Sequence, residues 1–103
     1  MKNVVTMKMT SAEEVICEYI RTEDEFYVVR RPYGIAPDPT TGQLAMYPWT
    51  ISTVRMTDNE YKVNKNCVMM MAEPVEDIVT SYIERTSGLT IAANPIDKQI
   101  ICG

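Results

Sequence analysis

Val5, Met7 and Met9 alternate with Thr6 and Lys8, and this period of two predicts a strand beginning at Val4. A polar break, Thr10-Ser11-Ala12-Glu13, precedes a second run from Glu14 to Arg21 rich in Val, Ile and Tyr, which predicts a second strand. Thr22-Glu23-Asp24-Glu25 makes a charged turn, and Phe26-Tyr27-Val28-Val29-Arg30-Arg31 predicts a third strand that Pro32 interrupts. Residues 32–42 hold three prolines and two glycines, the composition of a loop or hairpin tip. Leu44 to Ser52 reads as a fourth strand, with Pro48 marking an edge position or a bulge. After a turn at Asp58-Asn59-Glu60, the segment Tyr61 to Ala72 begins with alternation and ends in an apolar run from Cys67, so it predicts a fifth strand entering burial.

From Glu73 the period changes to 3.6. Val75, Ile78, Val79, Tyr82 and Ile83 fall on one face of a helix over 75–86, with Pro74 at its start, Glu76 and Asp77 at its positive end and Arg85 at its negative end. Gly88 supplies a left-handed stop. Residues 89–103 form a tail, either mobile or docked as an arm on a neighbour.

At 103 residues the chain is long enough for one domain, placed at residues 1–88. Its net charge of −4 opposes any role that depends on coating duplex DNA, so a nucleic-acid role must be local. The acidic excess lies in the last third, where residues 72–103 carry two basic and five acidic groups. Met1 to Lys8 lacks the apolar stretch of a signal peptide, and no window approaches the ~18 apolar residues of a membrane span. The sequence therefore predicts a soluble, cytoplasmic protein.

The chain has no histidine, the usual general base near neutral pH, and its four glycines are scattered, which leaves no phosphate-cradling loop. No enzyme activity, cofactor or metal site is expected. Cys17, Cys67 and Cys102 are spaced for neither a disulfide framework nor a metal knuckle; Cys17 and Cys67 read as buried, inert thiols. Glu23-Asp24-Glu25 reads as a solvated turn, and Met69-Met70-Met71 as core or interface. One constellation remains. Phe26, Tyr27, Arg30, Arg31 and Tyr33 crowd the third strand, with Lys65 and Asn66 in the fifth: aromatic faces that can stack on unpaired bases beside groups that donate to phosphates. The plainer reading of the same residues is a core Phe26 and Val28 with solvated arginines.

The order of elements resembles the Sm-like (LSm) family over residues 4–31 and 61–74. Met7-Lys8-Met9, Thr10 to Glu13 and Glu14 to Tyr19 resemble the opening of the first Sm motif, and Asp24-Glu25-Phe26-Tyr27-Val28-Val29 resembles the Asp-x-Phe-Val-x-Leu stretch of bacterial Hfq. Val63-Asn64-Lys65-Asn66-Cys67-Val68 is similar to the second motif, with a Pro-rich insertion at 32–60 between the two. As a whole the chain resembles the small Sm-like proteins of cyanobacterial phages.

The resemblance implies a mainly β fold: a strongly bent, five-stranded antiparallel sheet forming an open, SH3-like barrel, with a C-terminal helix. It implies assembly into a homo-oligomeric ring through a seam at Cys67, Val68, Met69, Met70 and Met71, because strand addition between copies removes unpaired edges. It further implies that the ring binds single-stranded, U-rich RNA at its pore through Phe26, Tyr27, Lys65 and Asn66, in a bacterial host's cytoplasm if phage-encoded. Glu25 and the −4 charge motivate the alternative, a structural or protein-interaction ring without nucleic acid.

Overall fold

The computed structural model describes residues 3–50 and 59–87. It is mainly β: a six-stranded antiparallel sheet, not closed into a barrel, carrying one C-terminal helix. The strands are β1 (Val4–Met9), β2 (Glu14–Glu23), β3 (Phe26–Pro37), β4 (Leu44–Pro48), β5 (Glu60–Asn64) and β6 (Val68–Ala72); the helix, α1, is Glu76–Ser87. Along the sheet the order is β4-β3-β2-β1-β6, and β5 also pairs with β3.

Six strands replace the expected five because one predicted segment divides in two, and a second differs by running on past its expected end. The third strand runs on through Pro32 to Pro37, so β3 is long enough to pair with β5 over Phe26–Arg30 and with β4 over Tyr33–Pro37. Pro32 is tolerated because it sits at a β-bulge: the β2–β3 register shifts between Ile16 and Glu18, opposite Arg31 and Pro32, where a missing N–H breaks no ladder bond. Arg31 there has a φ of 50°, in the left-handed region. The segment predicted to run unbroken from Tyr61 to Ala72 is instead interrupted by a 3-10 turn at Lys65–Cys67, which separates β5 from β6.

The Pro-rich stretch is mostly strand, and only residues 38–43 form its tip. Asp38 Oδ1 accepts from the Thr40 N–H at 2.8 Å, the Gly42 N–H donates to the Asp38 carbonyl at 2.7 Å, and Gly42 takes a φ of 78°. The predicted end of the fourth strand, at 51–52, lies outside the described residues, as do Gly88 and the tail.

Three consecutive residues of β2 are fully buried, Val15, Ile16 and Cys17, which requires cover on both faces of the sheet. One face, wrapped by the bend, packs Val15 and Cys17 with Met7, Met9, Val29 and Val63. The other packs Ile16 with Ile35 and Tyr82, under α1. Ile78 and Ile83 join this second core, but Val75 precedes the first helical turn and is 68% exposed. Its carbonyl instead accepts from the Ile78 and Val79 N–H groups, both at 3.1 Å.

The Cys67 to Ala72 run does not enter burial as its composition suggests. Its β6 pairs with β1 alone among the described strands; Val68 and Met71 pack on the first core, while Met69 and Met70 are 66% and 59% exposed. Of the expected seam residues, Val68 to Met71 therefore lie on a strand that is outermost among those described, and Cys67 lies in the 3-10 turn before it. Among the described residues no helix is long and apolar enough to cross a membrane.

Tyr82 ties the helix to the bulge. Its ring is fully buried and its hydroxyl donates to the Arg31 carbonyl at 2.7 Å, while Arg31 pairs with Glu18 at 2.7 Å. Replacing Tyr82 with Phe leaves that carbonyl unsatisfied at nearly constant volume, so stability should fall by about 1–2 kcal/mol. At a urea dependence of ~1 kcal/mol per molar, the unfolding midpoint drops by about 1–2 M; an unchanged midpoint would show that the bond is dispensable.

Candidate functional site

The aromatic and basic residues singled out from the sequence gather where the β2–β3 turn meets the 3-10 turn. The β2–β3 connection needs only Asp24 and Glu25, with Asp24 at a φ of 48°, a conformation Asp tolerates better than most residues. Across from it, β5 aligns Asn64 with Phe26 and Val63 with Tyr27. The Lys65 N–H then donates to the Glu25 carbonyl at 2.9 Å, which locks the two turns together. Asn64 caps the 3-10 turn by accepting from the Asn66 N–H at 2.8 Å.

Consecutive residues of a strand face opposite sides, so Phe26 and Tyr27 do not form one surface. Tyr27 packs against the first core and carries the Lys65 ammonium 5.9 Å from its ring centroid. Phe26 lies on the other face, with the Lys62 ammonium 6.0 Å from its centroid. Each aromatic thus has its own cation, at a distance typical of cation–π contact. Lys65 and Tyr27 come together; Phe26 is held apart from that pair, and Asn66 is an exposed residue of the 3-10 turn. Lys62 belongs to this constellation and is missed by a reading of motifs alone. The alternation that aligns Asn64 with Phe26 places Lys62, two residues earlier, on the same face.

The other basic groups beside Phe26 are engaged. Arg21 bonds Glu23 at 2.6 Å and Glu60 at 2.9 Å, Arg30 reaches Glu60 at 3.3 Å, and Lys62 lies 3.5 Å from Glu23. Hydrogen bonds from Arg21 hold the Glu23 and Glu60 carboxyls below their ordinary range, so both stay anionic near neutrality. Exposed pairs of this kind add little to stability, but they fix where charge is spent. Lys65 makes no ion pair among the described residues. Arg31, also counted in the sequence constellation, is turned to Glu18 and the helix side, and Tyr33 packs edge-on against Tyr82 in the second core.

The two described thiols differ. Cys17 is fully buried, as expected, whereas Cys67, at the end of the 3-10 turn, is exposed and is not the buried spectator its apolar neighbours suggested. Its carbonyl accepts from the Thr10 N–H at 2.8 Å, so the backbone at Cys67 is tied to the β1–β2 turn while the side chain stays outside.

Comparison of the sequence with known proteins finds no family model and no curated protein that matches it.

Burial, and secondarily the nearby Glu18 carboxylate, pushes the Cys17 thiol up from about 9 to about 12. The unfolded chain releases this proton near pH 9 while the folded protein retains it, so its contribution is complete below pH 9 and is lost as pH rises toward 12, at about 1 kcal/mol per pH unit. Burial raises the Tyr82 and Tyr33 hydroxyls as well, which steepens the loss above pH 10. Urea midpoints measured from pH 8 to 11 should fall from pH 9 onward, and Cys17→Ala should flatten the first part of that fall. A midpoint independent of pH over this range would contradict the burial argument.

Proposed function

We propose that the chain is an Sm-like protein that assembles as a homo-oligomeric ring and binds single-stranded, U-rich RNA. The observation that carries the RNA part is Lys65: a cation over an aromatic face, fixed by the backbone bond to Glu25, and free of acidic partners among the described residues. Tyr27 offers that face for stacking, Lys65 its charge for a phosphate and Asn66 an exposed amide; Phe26 with Lys62 repeats the combination on the far side of the hairpin.

The sheet supports the ring. Among the described strands β6 pairs only with β1, and β4 and β5 pair only with β3, so both ends of the sheet present backbone donors and acceptors to a second copy. The exposed Met69 and Met70 on β6 supply adaptable apolar cover for such a junction. In a ring each copy repeats the Tyr27–Lys65 contact, and a weak interaction gains affinity through multivalency, which an overall acidic chain requires.

The exposed Glu25 carboxylate at the same turn favours a second reading, a ring that binds protein rather than RNA. Anisotropy titrations with labelled oligo-U at 50 and 200 mM salt decide between them. The RNA reading expects micromolar or tighter binding that weakens with salt, by a slope of about −0.7 per phosphate neutralised, and at least a tenfold loss with Lys65→Ala. Absence of binding at low salt overturns it. Sedimentation at micromolar concentration should show an oligomer; a monomer would overturn the ring.

A further inference from the structure

Beside the Tyr27–Lys65 contact stands a second ring, Tyr19 of β2. In the β2–β3 ladder Tyr19 lies opposite Val29 and Thr22 opposite Tyr27. Side chains directly opposite one another on neighbouring strands share a face, and Tyr27 precedes Val29 by two residues, so Tyr19, Thr22 and Tyr27 all stand on the face of the first core. The two tyrosine rings meet edge to face, with centroids 6.4 Å apart and planes at 69°. Tyr27 thus neighbours both a second ring and, at 5.9 Å from its centroid, the Lys65 ammonium.

Tyr19 is positioned at both ends. Its N–H donates to the Asn3 carbonyl at 2.8 Å, and its hydroxyl shares a hydrogen bond of 2.5 Å with that of the exposed Thr22. The residue is half-buried, so part of its side chain stays accessible to a ligand. Rings on one face, separated by about the repeat of an extended single strand, can take successive bases. Stacking needs no pattern of donors and acceptors, because every base has a π-face. Two hydroxyls that share one hydrogen bond keep a free O–H and spare lone pairs, and such a pair meets a base edge without selecting one base over another.

We infer that Tyr19 is a base-stacking residue, so that each copy of the chain takes two successive nucleotides of a single strand, one base on Tyr19 and the next on Tyr27, with Lys65 at the phosphate. The inference rests on the reading of Tyr27 and Lys65 as a single-strand contact and adds a residue and a nucleotide to it.

Labelled oligo-U, titrated into the unaltered protein and into Tyr19→Phe and Tyr19→Leu, tests the assignment. Tyr19→Leu, shown to be folded by circular dichroism, should bind at least about fivefold more weakly, the loss of one stacked base, while Tyr19→Phe keeps the ring and should stay within about twofold. Stacking neutralises no phosphate, so Tyr19→Leu should leave the salt dependence unchanged, whereas Lys65→Ala should reduce its slope by about 0.7. Equal binding by Tyr19→Leu and the unaltered protein, or an equal loss in Tyr19→Phe, overturns the role of the ring. A measurement on the unaltered protein stands even if the leucine variant fails to fold: irradiation of a bound 5-bromouridine oligomer should attach it to Tyr19 as well as to Tyr27, and attachment to Tyr27 without Tyr19 overturns the assignment. Absence of oligo-U binding by the unaltered protein overturns the single-strand reading itself, and Tyr19 falls with it; binding that survives Tyr19→Leu overturns the assignment of Tyr19 alone.

Discussion

The bulge at Arg31 and Pro32 is the constraint on which the rest of the architecture depends. A flat β3 could not pair with β5 along its first half, with β4 along its second and with β2 along the whole of its other edge while leaving room for a core on each face. The extra residue at the bulge, with a second register shift on β2 between Tyr19 and Arg21, turns the sheet on itself and encloses Met7, Met9, Val15, Cys17 and Val29. A left-handed Arg31 costs free energy, and three contacts offset it: the Tyr82 hydroxyl on its carbonyl, the Glu18 carboxylate on its guanidinium, and the Trp49 N–H on the next carbonyl, Pro32, at 3.1 Å. The helix is therefore more than a lid over Ile16 and Ile35, because it also fixes the angle at which the two halves of β3 meet.

That angle positions the candidate surfaces. The first half of β3 carries Phe26 and Tyr27 to the end of the sheet where the 3-10 turn closes over Glu25, and the second half carries β4 and, beyond it, Trp49 toward Glu13 on the β1–β2 turn. The same bend thus produces the Tyr27–Lys65 contact and the Trp49–Glu13 contact on either side of one short turn.

Much of this was legible in the residues. Alternation located β1, a run rich in Val, Ile and Tyr located β2, which is buried on both faces, and the 3.6 period placed α1 to within a residue of its bounds, because one face of the helix is buried and the sequence must record it. Pro48 signalled an edge or a bulge, and among the described strands β4 lies at an edge. Pro32 misled because the rule that proline ends a strand has an exception at bulges, and nothing local announces a bulge whose left-handed residue is Arg rather than Gly. The apolar run at Cys67 to Ala72 misled because hydrophobicity records that a strand needs cover without saying whether its own chain provides it. Lys65 was legible as a basic residue near aromatics. Its pairing with Tyr27 rather than Phe26 depends on strand register, which no single segment encodes.

Charge placement explains how an acidic chain can still present a local positive site. With Arg21, Arg30 and Lys62 held near Glu23 and Glu60, the field around the hairpin is nearly balanced, and such pairs fall off quickly with distance in salt. An isolated ammonium on an aromatic face keeps its charge at short range, where a phosphate would meet it. The exposed Glu25 side chain stands at the same turn and sets a limit on how much that one contact can contribute. In the proposed ring the limit is met by repetition rather than by a stronger contact: copies related by symmetry present the same ammonium at regular intervals, and a flexible single strand can follow them while a stiff duplex cannot. The preference expected of such a ring is for an unpaired polyanion, arising from the spacing of weak contacts instead of the sign of the whole protein's charge.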